Sequence, residues 1–80
     1  STDALRVRVD MKYEVAVFNE IVRDTIRSGE DYVGFIPLKY ESMILHELYA
    51  TSMDDAIKRS EIRWPSDAGY VIESLRSLND

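Results

Sequence analysis

The sequence has no cysteine among its 80 residues, which excludes disulfide bonds, thiolate catalysis and cysteine-ligated zinc. It has only three glycines and two prolines, and no glycine-rich loop of the kind that cradles nucleotide phosphates. Every uncharged run is far shorter than the roughly 20 apolar residues of a membrane-spanning helix. The first ten residues lack the apolar stretch of a signal peptide. We therefore expect a cytoplasmic protein with no membrane association.

Histidine occurs once, at His46, with no second histidine to share a metal, and the serines form no G-x-S-x-G nucleophile elbow. The acidic pairs Glu30-Asp31 and Asp54-Asp55 are the other candidates for acid–base chemistry. The first pair follows a glycine that ends a helix and the second opens a helix, so turn and capping roles explain both. We predict a structural role for His46, and no metal, cofactor or catalytic residue. This pattern argues against an enzyme without excluding one.

The bulk composition is that of an ordinary folded domain, with 45% hydrophobic and 31% charged residues. The formal net charge is −5, and most of it lies in the second half of the chain. An excess of acidic groups repels phosphates, so direct nucleic-acid binding is not expected. The length predicts one domain over residues 1–80.

Every odd-numbered residue from Leu5 to Val17 is apolar, and most residues between them are charged. This period of two is typical of a β-strand with one buried face. Such a strand would extend about 43 Å, whereas a compact chain of this size is only about 30 Å across. The run must therefore bend into a hairpin near Asp10 or pair with something outside the domain. Residues 1–10 are predicted to be a projecting strand arm or an added extension.

Two helices are predicted from capping signals and apolar spacing. The first covers 20–28, with Asn19 as its N-cap. The second covers 53–63, with Thr51 or Ser52 as its N-cap and an aspartate three residues later. The proline that follows Trp64 ends the second helix.

The remaining strands are less regular. Residues 43–50 are apolar on both faces, which indicates an interior position in the sheet or a surface covered by a partner. Residues 70–75 form the predicted last strand. The segment 30–41 fits an edge strand or a long ordered loop, and Pro37 restricts a strand there to an edge. We prefer the edge strand.

The predicted fold is a small α+β sheet with both helices on one face, in the ferredoxin-like βαββαβ order. Its predicted core draws on both helices and on the strands. The predicted core residues are Val7, Val9, Tyr13, Val15, Val17, Ile21, Ile26, Leu45, Ala56, Ile57, Val71 and Ile72. Ile57→Asp is predicted to be the most damaging single substitution, because it would bury an unpaired carboxylate.

The leading hypothesis is a small non-enzymatic interaction or accessory protein that forms a homodimer or docks on a larger partner. The predicted dimer contact is antiparallel pairing of the N-terminal strand about Val9. One alternative is a regulatory module that binds a small molecule beside the 32–40 aromatics, and another is an acidic decoy of a nucleic-acid-binding protein. For Trp64, a core position is the competing interpretation. The interface candidates are Leu5, Val7, Val9, Tyr32, Phe35, Tyr40 and Trp64.

Overall fold

Strand β1 (Met11–Asn19) is the central strand of a three-stranded antiparallel sheet in a computed structural model that describes residues 11–78. Strand β2 (Ile44–Ala50) flanks it on one side and β3 (Tyr70–Ser77) on the other. Helix α1 (Glu20–Arg27) follows β1 directly, and helix α2 (Met53–Arg63) lies between β2 and β3 in the chain. The described residues thus form a small α+β fold, as predicted. Neither helix in this part of the chain is long and apolar enough to cross a membrane.

The alternating pattern of β1 is confirmed over the described residues. Its fully buried odd-numbered apolar residues are Tyr13, Val15 and Val17. The projecting arm and the competing hairpin near Asp10 both concern residues 1–10, which lie outside the described range. Both therefore stay predictions.

The two faces of the sheet differ in what packs against them. Val15 shares one face with His46 of β2 and Leu75 of β3, and this covered face forms the core together with residues of α2. The opposite face, which we call the open face, carries Leu45 and Tyr49, and about half of each residue's surface is exposed. The covered face therefore forms one side of the core, whereas the open face leaves apolar side chains exposed to water.

Helix α1 begins where the sequence predicts. The Asn19 side-chain Oδ1 accepts hydrogen bonds from the backbone N–H of Ile21 at 3.0 Å and of Val22 at 3.1 Å. The Asn19 Nδ2 donates to the carbonyl of Ala68 at 3.1 Å. The cap therefore satisfies two free amides of the helix and also ties the end of β1 to the turn before β3.

Helix α2 also begins at its predicted cap. The Ser52 Oγ accepts from the Asp55 N–H at 3.1 Å, and the Asp55 carboxylate accepts from the Thr51 N–H at 2.9 Å and from Arg59 Nε at 2.8 Å. The backbone hydrogen bond from Thr51, followed by the bond from Arg59, lowers the pKa of Asp55. The N-terminus of α2 is thus held by a reciprocal pair of side chain–backbone bonds.

Replacing Thr51 and Ser52 together by alanine is expected to lower the free energy of unfolding by about 1–2 kcal/mol, because the Ser52 oxygen is lost as an acceptor. Urea denaturation of the double variant measures this. Thr51→Ala alone is the control: alanine keeps the backbone N–H that Thr51 donates to Asp55 and removes only the weaker side-chain bond to that carboxylate, so its midpoint should move less than that of the double variant. An unchanged midpoint in the double variant would mean that the helix does not depend on this cap.

The predicted strand in 30–41 is wrong. This segment is a loop that ends in a 3₁₀ turn over Leu38–Glu41. Pro37 supplies no backbone donor to a ladder, and the turn that follows it places Tyr40 in the core. The described residues therefore form three strands and not the four of a ferredoxin-like sheet. Consequently β2 lies at an edge of the described sheet. Of the two alternatives for its apolar faces, the interior position is wrong and a surface covered by a partner stays a prediction.

The predicted core is confirmed in part. Among the predicted core residues, Ala56 and three residues of β1 are fully buried: Tyr13, Val15 and Val17. Three others are exposed: Ile21, Leu45 and Ile57. Leu45 lies on the open face, and α2 turns the small Ala56 into the core while Ile57 beside it is 42% exposed. Ile26, Val71 and Ile72 are half-buried, and Val7 and Val9 lie outside the described residues.

Candidate functional site: an aromatic cluster beside an acidic pocket

Four ring side chains meet between the covered face of the sheet and the C-terminal end of α2. The Tyr40 hydroxyl lies 2.9 Å from His46 Nε2, and the imidazole tautomer decides which group donates. The His46 and Trp64 ring centroids are 4.8 Å apart, and the Tyr70 ring meets the Tyr40 ring edge-on at 5.4 Å. These distances are those of favourable aromatic pairs. His46 is therefore a packed ring whose Nε2 already has a partner.

The surroundings of this cluster disfavour charge on its titratable rings. Burial lowers the pKa of His46, and the nearby cations of Arg63 and Lys39 lower it further. Burial raises the pKa of Tyr70, followed by the influence of Tyr40 and of Tyr32. At neutral pH the cluster is uncharged, which suits a role in packing.

A cavity of about 690 Å³ lies next to this cluster, where the start of α1, the end of α2 and the start of β3 come together. We call it the acidic pocket. Its lining residues are Glu20, Glu61, Trp64, Pro65, Ser66, Asp67, Tyr70, Val71 and Ile72. One wall is therefore aromatic and aliphatic, while the rim carries carboxylates.

The local sequence explains how these elements converge. Pro65 stops α2 directly after Trp64, and a 3₁₀ turn over Ser66–Ala68 follows. Gly69 then adopts a left-handed conformation with φ of 95°, and a Cβ atom there would collide with the Ile21 side chain. The Glu20 N–H donates to the Gly69 carbonyl at 2.8 Å, which joins the start of α1 to this turn.

The charge of the acidic pocket is of one sign. Glu20, Glu61 and Asp67 line it, and no lysine, arginine or histidine does so. None of the three carboxylates forms a hydrogen bond or ion pair with any residue in 11–78. Elsewhere in that range carboxylates do find cations, as in the 2.9 Å pair of Glu14 with Arg76. The pocket thus combines uncompensated negative charge with an aromatic wall.

The interface candidates predicted from the sequence differ in how exposed they are in the structure. Tyr40 and Trp64 are core residues, so little of either is available to a partner. Tyr32 is half-buried, and its hydroxyl accepts from the Ile36 N–H at 3.4 Å. Phe35 is fully exposed. The other candidates lie outside the described residues: Leu5, Val7 and Val9.

Several described residues expose large apolar side chains, Ile62 of α2 among them, and two groups of such residues lie in the loop after α1 and along the edge strand. The loop before the 3₁₀ turn exposes Val33 and Phe35 almost completely. The edge strand β2 and the residue before it expose Met43, Leu45 and Tyr49. Exposed apolar side chains that form a contiguous patch are typical of interaction sites.

Sequence reasoning missed the acidic pocket. None of the 32–40 aromatics lines the acidic pocket; Tyr32 lines a smaller cavity near the C-terminal end of α1. The sequence did not predict Glu61 and Asp67 as site residues, because each fits an exposed helix or turn position. The available signal was that Trp64-Pro65 and Tyr70 bracket a short turn, which places two aromatic rings at one edge of the sheet.

The acidic pairs and the single histidine do not assemble a metal site in the structure. Asp55 is used as a capping residue, while Asp54 beside it is exposed. Within residues 11–78, no group of three or more histidine, aspartate or glutamate side chains is arranged to hold a metal ion.

Comparison with protein-family models, with curated proteins and with solved structures gives no match for this chain, so the roles of its residues are argued from the geometry above.

Proposed function

We propose that this chain is a small interaction protein that forms a homodimer through the outer edge of β2. The observation that carries the proposal is that an edge strand of the sheet exposes apolar side chains. Leu45 is 58% exposed and Tyr49 is 49% exposed. Large apolar residues on an exposed edge favour association unless charged residues or proline block it.

The backbone of β2 supports the same proposal. Within the described residues β2 pairs only with β1, so the N–H and C=O groups on its outer side have no protein partner. Another strand can pair with these groups by simple addition to the sheet. An identical strand satisfies both edges at once under two-fold symmetry.

The side chains of β2 are compatible with antiparallel self-pairing centred on Glu47. In that register Leu45 lies opposite Tyr49 of the second copy, and the reverse contact repeats on the other side of the axis. Cross-strand pairs of an aromatic and an aliphatic residue stabilise sheets. The two Glu47 side chains would meet at the axis, where Lys12, at 3.7 Å within each copy, reduces their repulsion.

We expect wild-type protein to be dimeric at high micromolar concentration in sedimentation equilibrium, and Leu45→Lys to be monomeric, because a lysine on the edge prevents pairing. Glu47→Gln should strengthen the dimer, since it removes the like charges at the axis. Phe35→Lys is the matched control, because it adds the same charge at a fully exposed apolar residue away from β2. Its mass should equal that of wild type.

Three results would contradict the proposal. Wild-type protein that stays monomeric at this concentration removes the dimer altogether. If Phe35→Lys dissociates the dimer and Leu45→Lys stays dimeric, the interface lies in the loop and not on β2. If deletion of residues 1–10 dissociates the dimer and Leu45→Lys stays dimeric, the interface is the N-terminal strand that the sequence predicts. Circular dichroism shows whether each variant is folded.

A further inference from the structure

We propose that Lys39, His46 and Arg63 form a binding site for a phosphate group. The three side chains come from the 3₁₀ turn before β2, from β2 itself and from the last turn of α2. His46 shares the covered face of the sheet with Val15, whereas the proposed dimer uses the outer edge and the open face. The phosphate site therefore does not depend on the dimer.

The first step is the placement of the two cations. The rings of Tyr40 and Trp64 both pack against the His46 ring, with centroids 5.8 Å and 4.8 Å from its own. The Lys39 Nζ lies 5.5 Å from the centroid of the Tyr40 ring, and the Arg63 guanidinium carbon lies 4.9 Å from that of Trp64. Cation–π contacts of this length are attractive. Each cation is thus held beside a buried ring that itself contacts the imidazole.

The second step concerns charge. The chain has 15 acidic residues against 10 lysines and arginines, yet neither Lys39 nor Arg63 forms an ion pair with a carboxylate in residues 11–78. Other cations in that range do pair with carboxylates: Lys12, Arg27, Arg59 and Arg76. The surroundings of His46 are therefore locally positive in an acidic protein.

The third step is a free imidazole nitrogen. Nε2 of His46 lies 2.9 Å from the Tyr40 hydroxyl, but Nδ1 has no hydrogen-bond partner in residues 11–78. Since no buried side-chain nitrogen or oxygen in that range lacks a partner, Nδ1 reaches the surface. A neutral imidazole carries its proton on one nitrogen. When the Tyr40 hydroxyl donates to Nε2, the Nδ1–H is available to a ligand.

The electrostatics around the imidazole favour an anion. Burial lowers the pKa of His46, and Arg63 and Lys39 lower it further. No carboxylate is among the groups that act on it, those of the acidic pocket included. A bound anion would offset both cations and accept a hydrogen bond from the imidazole.

Phosphate matches this set of donors better than a carboxylate does. A phosphate monoester carries close to two negative charges at neutral pH and offers three strong acceptor oxygens, so one oxygen is available for each of Lys39, His46 and Arg63. A carboxylate has one charge and two oxygens. Hydrogen bonds between ionised partners are also stronger than neutral ones.

The test follows the imidazole C–H signals of His46, the one histidine of the chain, in proton NMR spectra. The probe is inorganic phosphate at neutral pH, with sodium chloride holding the ionic strength constant, and the comparator is acetate. We expect a saturable change in the His46 signals with phosphate and a much weaker response to acetate. No response to phosphate, or equal responses to the two anions, overturns the proposal.

Charge variants then assign the site. The double variant Lys39→Met/Arg63→Met should weaken phosphate binding by about tenfold or more, because two charge-assisted contacts are lost. The control Lys58→Met/Arg76→Met removes the same charge from two exposed residues that do not act on His46, and it should bind like wild type. If both double variants weaken binding equally, only the overall charge matters and the assigned site is wrong.

A last arm distinguishes the source of the phosphate. Nα-acetyl-phosphoserine methylamide carries the same group as a monoester on a peptide unit, and we expect it to change the His46 signals as inorganic phosphate does. Tighter binding of the peptide probe assigns the site to a phosphorylated side chain of a protein, and tighter binding of inorganic phosphate assigns it to the free ion. If neither probe binds, the proposal is wrong.

Discussion

Ala56→Asp is expected to unfold the protein, whereas the same substitution at the neighbouring Ile57 should leave it folded. Ala56 is fully buried against a core of apolar and aromatic side chains that includes Tyr13 and Trp64. An unpaired carboxylate there costs several kcal/mol in lost hydration, and its added bulk has no room. Small domains have only about 5–15 kcal/mol of stability in total.

Ile57 provides the matched comparison, because it is 42% exposed on the same helix. A carboxylate at that position keeps most of its hydration, so Ile57→Asp should cost no more than about 1–2 kcal/mol, the value of partly buried apolar area. Circular dichroism and two-dimensional amide NMR spectra of both variants measure the difference. An unfolded Ile57→Asp protein beside a folded Ala56→Asp protein would contradict this expectation and support the sequence-based prediction that Ile57→Asp is the most damaging substitution.

Asn19→Ala is expected to have the second-largest effect, lowering the free energy of unfolding by about 2–4 kcal/mol. Asn19 is fully buried, and its one amide group serves three backbone groups. Alanine leaves the N–H groups of Ile21 and Val22 and the carbonyl of Ala68 without their partner. Because these groups have restricted access to water, the loss exceeds that of an exposed helix cap.

Chemical denaturation of Asn19→Ala and Asn19→Asp tests this account. Aspartate keeps the oxygen acceptor for α1 but loses the donor to Ala68, so Asn19→Asp should fall between wild type and Asn19→Ala. The loss of unfolding free energy on removing the exposed cap Ser52 gives the reference value for an ordinary helix cap. A loss at Asn19 no larger than the loss at Ser52 would show that the bond to Ala68 contributes nothing.

Local signals in the sequence predict the helices and the central strand correctly. The caps at Asn19 and Ser52 act on amides two or three residues away, so the information is contained in a short stretch. The alternation of β1 is likewise local, and its buried residues follow directly from a period of two.

Apart from the strand wrongly predicted in 30–41, the errors concern tertiary placement. The apolar stripe of α2 contains Ala56 and Ile57 side by side, and only the distance to the sheet decides which of them is buried. The two apolar faces of β2 are equally compatible with an interior and an edge position. The acidic pocket joins three elements through the turn at Gly69, and no spacing along the chain indicates that Glu20 and Asp67 line one cavity.

The central position of β1 also determines when the sheet can form during synthesis. Among the residue pairs that join β1 to β2, Val17 with Ile44 has the shortest stretch of chain between its members. That stretch already contains α1 and the whole segment before β2, and the partners of β1 in β3 come later still. Such distant pairing slows folding. On the ribosome, β1 emerges first and keeps one unpaired edge until β3 has left the exit tunnel. The nascent chain therefore presents the apolar face around Val15 to chaperones until β2 and β3 have emerged.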